Sequence, residues 1–428
     1  MSLAFFWIFL LLMLCGLPVM FALLIAPSIS LLIDDQTRFF TLLLGRMYKG
    51  IDNFPLMAIP FFILAGEMMN AGRITLNLVR LSQALIGHLR GGLAQVNILS
   101  SMLFAGLSGS AVADTSALGS MLIPAMEKNG YSRRFAAAVT AASSVIGPII
   151  PPSGIMIIYA FIMNVSVAGL FAAGIVPGLM IGFGLMLLTS YLAKVRNYPI
   201  ASRRATWGER GVAFRRAFLP LLTPVILLGG ILSGVFTPTE AAAVAAGYAA
   251  VLALLVLRTL TWRDLPSVLF RAALSSGVIL LLVGMAVAFA ALMTLSQAPV
   301  RLTDFVLGIS ENPLLLLFLV NILLFIVGMF LDAGPAILIL GPVLGPTFVG
   351  LGIDPLHFAI IMCVNVTVGL ATPPMGLVLF VAASLSGERV ERIALEMLPF
   401  LAIEAAVIFL ITFVPEISMT VPRLLGFA

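Results

Sequence analysis

The chain has 428 residues, of which 61% are hydrophobic and only 10% are charged. A soluble protein carries about 25% charged residues and about 45–50% apolar ones, so this chain cannot bury its apolar surface inside one soluble globule. The same composition excludes a soluble enzyme, a nucleic-acid binder and a disordered chain. The net charge of +5 comes from basic residues in short loops between apolar runs and does not indicate nucleic-acid binding. The composition predicts a polytopic membrane protein.

Apolar runs long enough to cross a bilayer recur along the chain, since a helix needs about 20 residues to span the hydrocarbon. Full spans are predicted at 3–31, 51–69, 134–163, 167–193, 218–236, 239–258, 272–296, 357–384 and 396–416. Two further apolar runs, 92–128 and 313–350, are interrupted by Gly, Pro, Ser or Asp, which predicts re-entrant hairpins that enter and leave on one side. The division of 218–258 into two spans rests on the sequence Thr237–Glu240.

The segment Arg73–Arg90 differs from the spans in its pattern. Ile74, Leu78 and Leu81 recur at helical spacing with polar residues between them, which predicts an amphipathic helix lying in the membrane interface. A solvated connector is the alternative.

Lys and Arg divide unequally between the two faces of this arrangement, with 18 on one face and 5 on the other. The positive-inside rule makes the richer face, which includes Lys194 to Arg216, cytoplasmic. The N-terminus is then predicted to be cytoplasmic and the C-terminus periplasmic. The first hairpin enters from the cytoplasm and the second from the opposite face.

A shift of 222 positions aligns nine Gly or Pro residues of one half of the chain with the same residues of the other, including Gly147 with Gly369. Composition alone predicts about one such coincidence, so the pattern indicates a duplication. The span 272–296 is the fifth after its counterpart 51–69. Because successive spans cross the membrane in opposite directions, this odd step inverts the second copy. The predicted fold class is an all-α polytopic membrane protein with an inverted repeat, two re-entrant hairpins and two broken helices. Secondary transporters of this architecture bind their substrate near the midplane, at the repeat interface.

Each copy contains a hairpin tip and a Gly/Pro break in a long helix. Proline removes a backbone donor, and carbonyls freed at membrane depth need another partner. Sodium, a hard cation, suits carbonyl and hydroxyl oxygens, and unwound helices hold Na⁺ in transporters of this design. Sodium-binding oxygens are therefore predicted at Ser108, Ser110, Gly147, Ile150 and Pro152 in the first copy, and at Gly328, Asp332, Gly369, Thr372 and Met375 in the second. The alternative is that these breaks are only kinks for packing.

Ser110 and Asp332 are equivalent under the shift and fall at the two hairpin tips, so both can face one central substrate. An Asp within a membrane segment costs about 2.5–3.5 kcal/mol on insertion scales and suggests function. Ser110, Asp332, Ser153 and Asp114 are the predicted substrate-binding residues. Cys, His and carboxylate residues show no metal-ligand spacing, so neither a transition metal, a resident cofactor nor a catalytic residue is expected.

Four motifs together resemble the large membrane subunit of tripartite ATP-independent periplasmic (TRAP) transporters, the DctM type. They are Leu107–Asp114, Ile149–Ser153, Phe236–Ala243 and Ala371–Pro374. The resemblance runs nearly end to end. It implies a sodium-driven elevator, as in the ion-transporter superfamily, in the bacterial inner membrane, with organic acids such as C4-dicarboxylates, keto acids or sialic acids as substrates.

The resemblance also implies how the chain is divided and what it works with. Residues 1–91 would form scaffold helices and an interfacial arm, and 92–193 the first half of a transport domain. Residues 194–312 would form a cytoplasmic basic loop, scaffold helices and a second arm, and 313–428 the second half of the transport domain. The implied partners are a small four-helix membrane subunit (DctQ type), not expected to be fused here, and a periplasmic substrate-binding protein (DctP type).

Three other functions remain open at this point. The sequence Gly106–Gly109 reads G-x-S-G, the nucleophile pattern of rhomboid-type intramembrane serine proteases, which would need a base beside Ser108. Unwound helices could instead line a passive channel. A related sodium–dicarboxylate carrier would work without a binding protein.

Overall fold

A computed structural model of the chain describes residues 4–72, 74–198, 203–310 and 312–427, except for the side chains of Ser108, Val306, Leu307 and Ile309. Within these ranges the chain is helical, with no β-strand. In chain order the α-helices are α1 (Ala4–Leu14), α2 (Val19–Ile33), α3 (Phe40–Ile51), α4 (Ala58–Ala71), α5 (Thr75–Ile86), α6 (Gly92–Ser108), α7 (Ala111–Lys128), α8 (Arg133–Ser144), α9 (Gly154–Met163), α10 (Val167–Val195), α11 (Trp207–Leu232), α12 (Pro238–Val251), α13 (Leu265–Leu295), α14 (Ala298–Ile309), α15 (Pro313–Phe330), α16 (Ala333–Gly350), α17 (Pro355–Gly369), α18 (Leu377–Ser386), α19 (Val390–Phe413) and α20 (Pro415–Leu424).

Eight helical segments of the described ranges are long and apolar enough to cross a membrane. They are α4 with the short 3₁₀ turn before it, α10, α11, α12 with a π-helical extension to Val256, α13, α15, α16 and α19. The polytopic helical architecture expected from the composition is confirmed.

The first predicted span, 3–31, is wrong as a single helix. The chain turns between α1 and α2, which pack against each other. Gly16 has a φ of +82°, a conformation that favours glycine, and Pro18 precedes the first residue of α2. Hydropathy alone could not show this turn, because both helices are apolar.

Three stretches predicted as connectors or tail contain helix. α3 lies in the connector after the first span and packs on α13, and α20 lies in the C-terminal tail and packs on α10. α11 begins at Trp207 rather than at 218, because Thr206 and Glu209 form a capping box that starts a helix within the basic segment. These helices carry polar residues, so a search for long apolar runs misses them.

The segment predicted as an amphipathic helix forms α5, and Arg73 lies outside the described residues. Leu78 and Leu81 are buried against the protein while Arg80 and Gln83 are exposed. α5 therefore has one face packed on α6 and α11 and one polar face.

Both predicted hairpins and both predicted breaks are present. α6 turns into α7 at Gly109, which has a φ of +57°, and α15 is followed by α16 after Leu331 and Asp332. The first long helix is interrupted at 145–153 between α8 and α9, and the second at 370–376 between α17 and α18. The division of 218–258 is also confirmed, because Thr237 caps α12 in a capping box with Glu240.

The helices fall into two packing groups. The hairpins and broken helices pack with one another and with α10, α19 and α20, and α8 and α17 are almost wholly buried among them. In the other group, α13 packs on α2, α3 and α4, and α12 packs on α4 and α11. The two groups meet where α13 contacts α16 and where α4 contacts α6 and α9.

Candidate transport site

A pocket of about 570 Å³ lies where the two packing groups meet. Its wall on one side comes from the two hairpin tips and the two helix breaks, including Ser110, Pro152 and Asp332. Its wall on the other side comes from apolar residues of α4 and α13. The pocket is therefore a meeting point of both copies of the repeat.

Four helices begin at this pocket. The first residues of α7, α9, α16 and α18 all line it: Ala111, Gly154, Ala333 and Leu377. The first N–H groups of a helix have no partner within the helix, and the helix dipole places partial positive charge at that end. The pocket can therefore bind anionic groups through main-chain amides, although Asp332 is the one charged side chain among its described lining residues.

Side-chain caps explain the start of three of these helices, α7, α9 and α16, whereas α18 follows Gly376 and has no side-chain cap. The Ser110 hydroxyl accepts a hydrogen bond from the Ala113 N–H at 3.4 Å, and the Asp332 carboxylate accepts one from the Ala333 N–H at 2.7 Å. Ser and Asp are preferred at this position for this reason. Ser153 caps α9 in the same way but is fully buried and does not line the pocket.

The first hairpin tip lies directly on the first helix break. A Cβ on Gly109 would lie 2.9 Å from the Pro152 carbonyl oxygen, so only glycine allows this approach. Asp114 is buried in the first turn of α7, and its Oδ2 is 2.6 Å from the point where a Cβ on Gly147 would stand. The predicted residues Asp114 and Gly147 thus lie side by side, behind the pocket wall rather than in it.

The second tip and the second break are joined through backbone. A Cβ on Gly369 would lie 2.5 Å from the Cα of Gly328, so the two chains touch at these glycines. The N–H of Gly376 donates to the carbonyl of Met329 at 3.2 Å. The second hairpin therefore lies directly against its broken helix, as the first does in its own copy.

The predicted residues Ile150, Thr372 and Met375 lie outside the pocket lining. The buried Thr372 hydroxyl donates to the Val368 carbonyl at 3.0 Å, and Met375 is exposed. The Ile150 side chain packs against Gly178 of α10. The side chain of Ser108 lies outside the described residues. Of the predicted set, the pocket therefore gathers Ser110, Pro152 and Asp332.

The sequence prediction missed the apolar wall opposite the tips. It consists of Ile59, Phe62 and Ile63 of α4 and Ile279 and Leu282 of α13. α4 and α13 are the spans that precede the hairpin in each copy. This equivalent position in the repeat was the one sequence signal that could have pointed to the apolar wall. An apolar run of uniform composition does not show which of its faces meets a neighbour.

The alternatives to transport find little support at this site. A serine protease would need a base at the pocket, and its described lining residues include no His. His357 lies near the start of α17, at the opposite end of that helix from the second break, and its ring Nε2 is 2.9 Å from the carbonyl oxygen of Ile411. In the described ranges, no group of three His, Cys, Asp or Glu side chains is placed to hold a metal ion.

A central pocket walled by two hairpins and two broken helices, in an all-helical membrane protein, defines a secondary transporter fold. A solved structure, the YdaH transporter of Alcanivorax borkumensis, shares the fold with a TM-score of 0.65 and 16% identity, over 89% of this chain and 88% of that one. The family model described as "Tripartite ATP-independent periplasmic transporter, DctM component" matches residues 6–417. The chain belongs to this family.

Two curated relatives agree with this assignment. The sialic acid TRAP transporter large permease protein SiaM of Vibrio cholerae is 39% identical over 96% of each chain. The C4-dicarboxylate TRAP transporter large permease protein DctM of Pseudomonas aeruginosa is 39% identical over 94% of this chain and 93% of its own length. Both are named as permease subunits and not as enzymes, and the chain is likewise a transporter subunit.

Proposed function

We propose that this chain catalyses the sodium-coupled uptake of a small organic acid across the bacterial inner membrane, as the large permease subunit of a TRAP transporter. The substrate class comprises C4-dicarboxylates, keto acids and sialic acids, the first and last of which appear in the names of relatives. The observation that carries the proposal is the pocket at which four helices begin.

The charges of the pocket support the binding of cations together with the substrate. Asp332 is acidic and repels an organic anion at close range. Helix N-termini carry only partial positive charge, and the described lining residues include no Lys, Arg or His. Sodium ions held at the two breaks, with Asp332 and Ser110 nearby, would neutralise both the carboxylate and the substrate.

The two packing groups supply a basis for an elevator. The hairpins, the broken helices, α10 and α19 would move together as a transport domain, and α2–α4 with α11–α13 would form the scaffold. The pocket has one wall from each group, so sliding the groups past each other would carry the site across the membrane. One net positive charge moving inward gains about 2.3 kcal/mol per 100 mV.

The partners follow from family membership. A tripartite system adds a small membrane subunit and a periplasmic binding protein, and the latter would deliver the substrate to the outward-facing pocket. The predicted cytoplasmic N-terminus and periplasmic C-terminus belong to the same proposal.

Uptake into proteoliposomes tests the proposal, with both partners supplied. An imposed sodium gradient should drive uptake, and Asp332→Ala should reduce it about 10–100-fold, because a lost charge-assisted contact is worth about 1.5–3 kcal/mol. Asp304→Ala is the matched control, because Asp304 is exposed on α14 and distant in sequence from the tips. The proposal would be refuted if the rate of uptake were the same with and without the sodium gradient, or if Asp332→Ala left that rate unchanged.

A further inference from the structure

A basic groove runs between α5 and the first turns of α11, away from the transport site. Two adjoining pockets of about 530 and 560 Å³ form it. Arg80 of α5 and Val212 and Arg216 of α11 line both pockets, so the two are one continuous groove.

Three arginines line this groove and are not neutralised by an ion pair within the described residues. Arg80, Arg215 and Arg216 line it, are exposed, and form no ion pair with a described acidic residue. The one acid in the lining, Glu209, is bound to Arg203 at 2.5 Å and to the Thr206 N–H at 2.8 Å. The groove is therefore a site of concentrated, unneutralised positive charge.

Two features place the groove at the surface of the membrane. Trp207, the first residue of α11, is 84% exposed, and the guanidinium of Arg210 lies 5.2 Å from the centre of its ring. Exposed Trp is enriched at the headgroup level of membranes. Two partly buried leucines, Leu219 and Leu257, also line the groove, so it offers apolar surface beside its exposed arginines.

We propose that this groove binds the phosphodiester headgroup of an anionic phospholipid, with the acyl chains against Leu219 and Leu257. Arginine forks bind phosphate oxygens in a bidentate manner, and basic pockets between helices on the cytoplasmic side bind anionic headgroups. The lipid contacts both α5 and α11 and so bridges these two helices. α5 is the helix that connects α4 to the first hairpin. It thereby anchors the segment between the two packing groups.

Lipid retention measured by native mass spectrometry tests the proposal. The purified chain is taken from nanodiscs of phosphatidylglycerol in phosphatidylcholine. We expect the substitutions Arg80→Gln, Arg215→Gln and Arg216→Gln together to weaken phosphatidylglycerol retention by about tenfold or more. The control removes three exposed arginines of the same basic face that lie outside the groove: Arg134→Gln, Arg263→Gln and Arg389→Gln. Equal loss in both variants would overturn the proposal, because it would show only diffuse attraction.

A second measurement leaves the groove unaltered. In a chain with Trp7→Phe and Trp262→Phe, Trp207 is the one remaining tryptophan. Brominated phosphatidylglycerol should quench its fluorescence several-fold more than brominated phosphatidylcholine at equal content. Equal quenching by both lipids overturns the proposal. The proposal is also overturned if the triple arginine variant retains phosphatidylglycerol normally but no longer binds the small subunit. The occupant of the groove would then be a protein.

Discussion

At the scale of single residues, glycine positions fix the geometry of the two helix breaks. The 222-residue shift pairs Gly147 with Gly369, yet the structure gives them different neighbours. The Asp114 carboxylate faces Gly147, whereas the backbone of Gly328 faces Gly369. Sequence spacing predicts that both positions matter, because Gly and Pro act locally on the chain. It does not predict what each glycine touches, because that depends on how distant helices pack.

The contact between Gly328 and Gly369 gives a residue-scale prediction. Gly369→Ala would place a methyl group 2.5 Å from a backbone Cα, and since backbone cannot rotate away, we expect destabilisation of about 3 kcal/mol or more. The control is Gly277→Ala in α13, where a Cβ would meet nothing within 4 Å. That change should be neutral or stabilising by about 0.5–1 kcal/mol. Thermal unfolding in detergent measures both, and a Gly369→Ala midpoint equal to the control would contradict the close contact.

At the scale of elements, the sequence predicts interruptions better than it predicts short helices. The hairpin turns and both breaks were expected from Gly, Pro, Ser and Asp, and the start of α12 from Thr237–Glu240. The sequence did not predict four of the shorter helices. α1 and α2 are both apolar and are separated by a tight turn, so they resemble one long apolar run. α3 and α20 are amphipathic and contain no long apolar run. Packing against α10 and α13, rather than local hydropathy, stabilises α20 and α3.

A cluster at the basic end of the molecule ties three elements together. Arg196, just after α10, forms an ion pair with Glu396 of α19 and lies 5.4 Å over the Phe135 ring of α8. Tyr198 stacks on Tyr131 at 4.7 Å, and burial raises the pKa of the Tyr131 phenol. The cluster closes one end of the group that contains both broken helices.

This cluster gives an element-scale prediction. Arg196→Ala should destabilise the protein by about 1.5–3 kcal/mol, because it leaves a half-buried Glu396 without its charged partner and removes a cation–π contact. Arg203→Ala breaks an ion pair with Glu209 whose side chains are 75% and 47% exposed, and should change stability by less than about 1 kcal/mol. Thermal unfolding of the two variants side by side measures the difference. A larger effect of Arg203→Ala would show that the cluster contributes little.

At the scale of the whole molecule, the candidate transport site lies on the boundary between the two packing groups. One wall is provided by tips and breaks that the repeat predicts, and the other by α4 and α13. The sequence indicates an inverted repeat and hence a central site, but the apolar wall depends on which way two uniform helices face. Ligand binding at such a boundary should change how much of the tip is open to water.

Thiol labelling tests this at Val112, which is 36% exposed and lines the pocket. In a Cys15→Ser background, which leaves only the buried Cys363, Val112→Cys should react with a polar maleimide. Saturating sodium and substrate together should slow that reaction several-fold. Ser233→Cys, in the exposed loop after α11, should react at a constant rate. Protection of both cysteines, or of neither, would contradict closure of the tips around the ligand.

The four helix starts at the pocket have a consequence for evolution. Amide groups of the main chain survive every substitution except one to proline, so a recognition surface made from them is insensitive to mutation. If acids bind there as proposed, selection can change the apolar side chains across the cavity and leave the main-chain donors in place. Under the proposed function, a permease built in this way would change its nutrient by altering side chains while its polypeptide backbone stays the same.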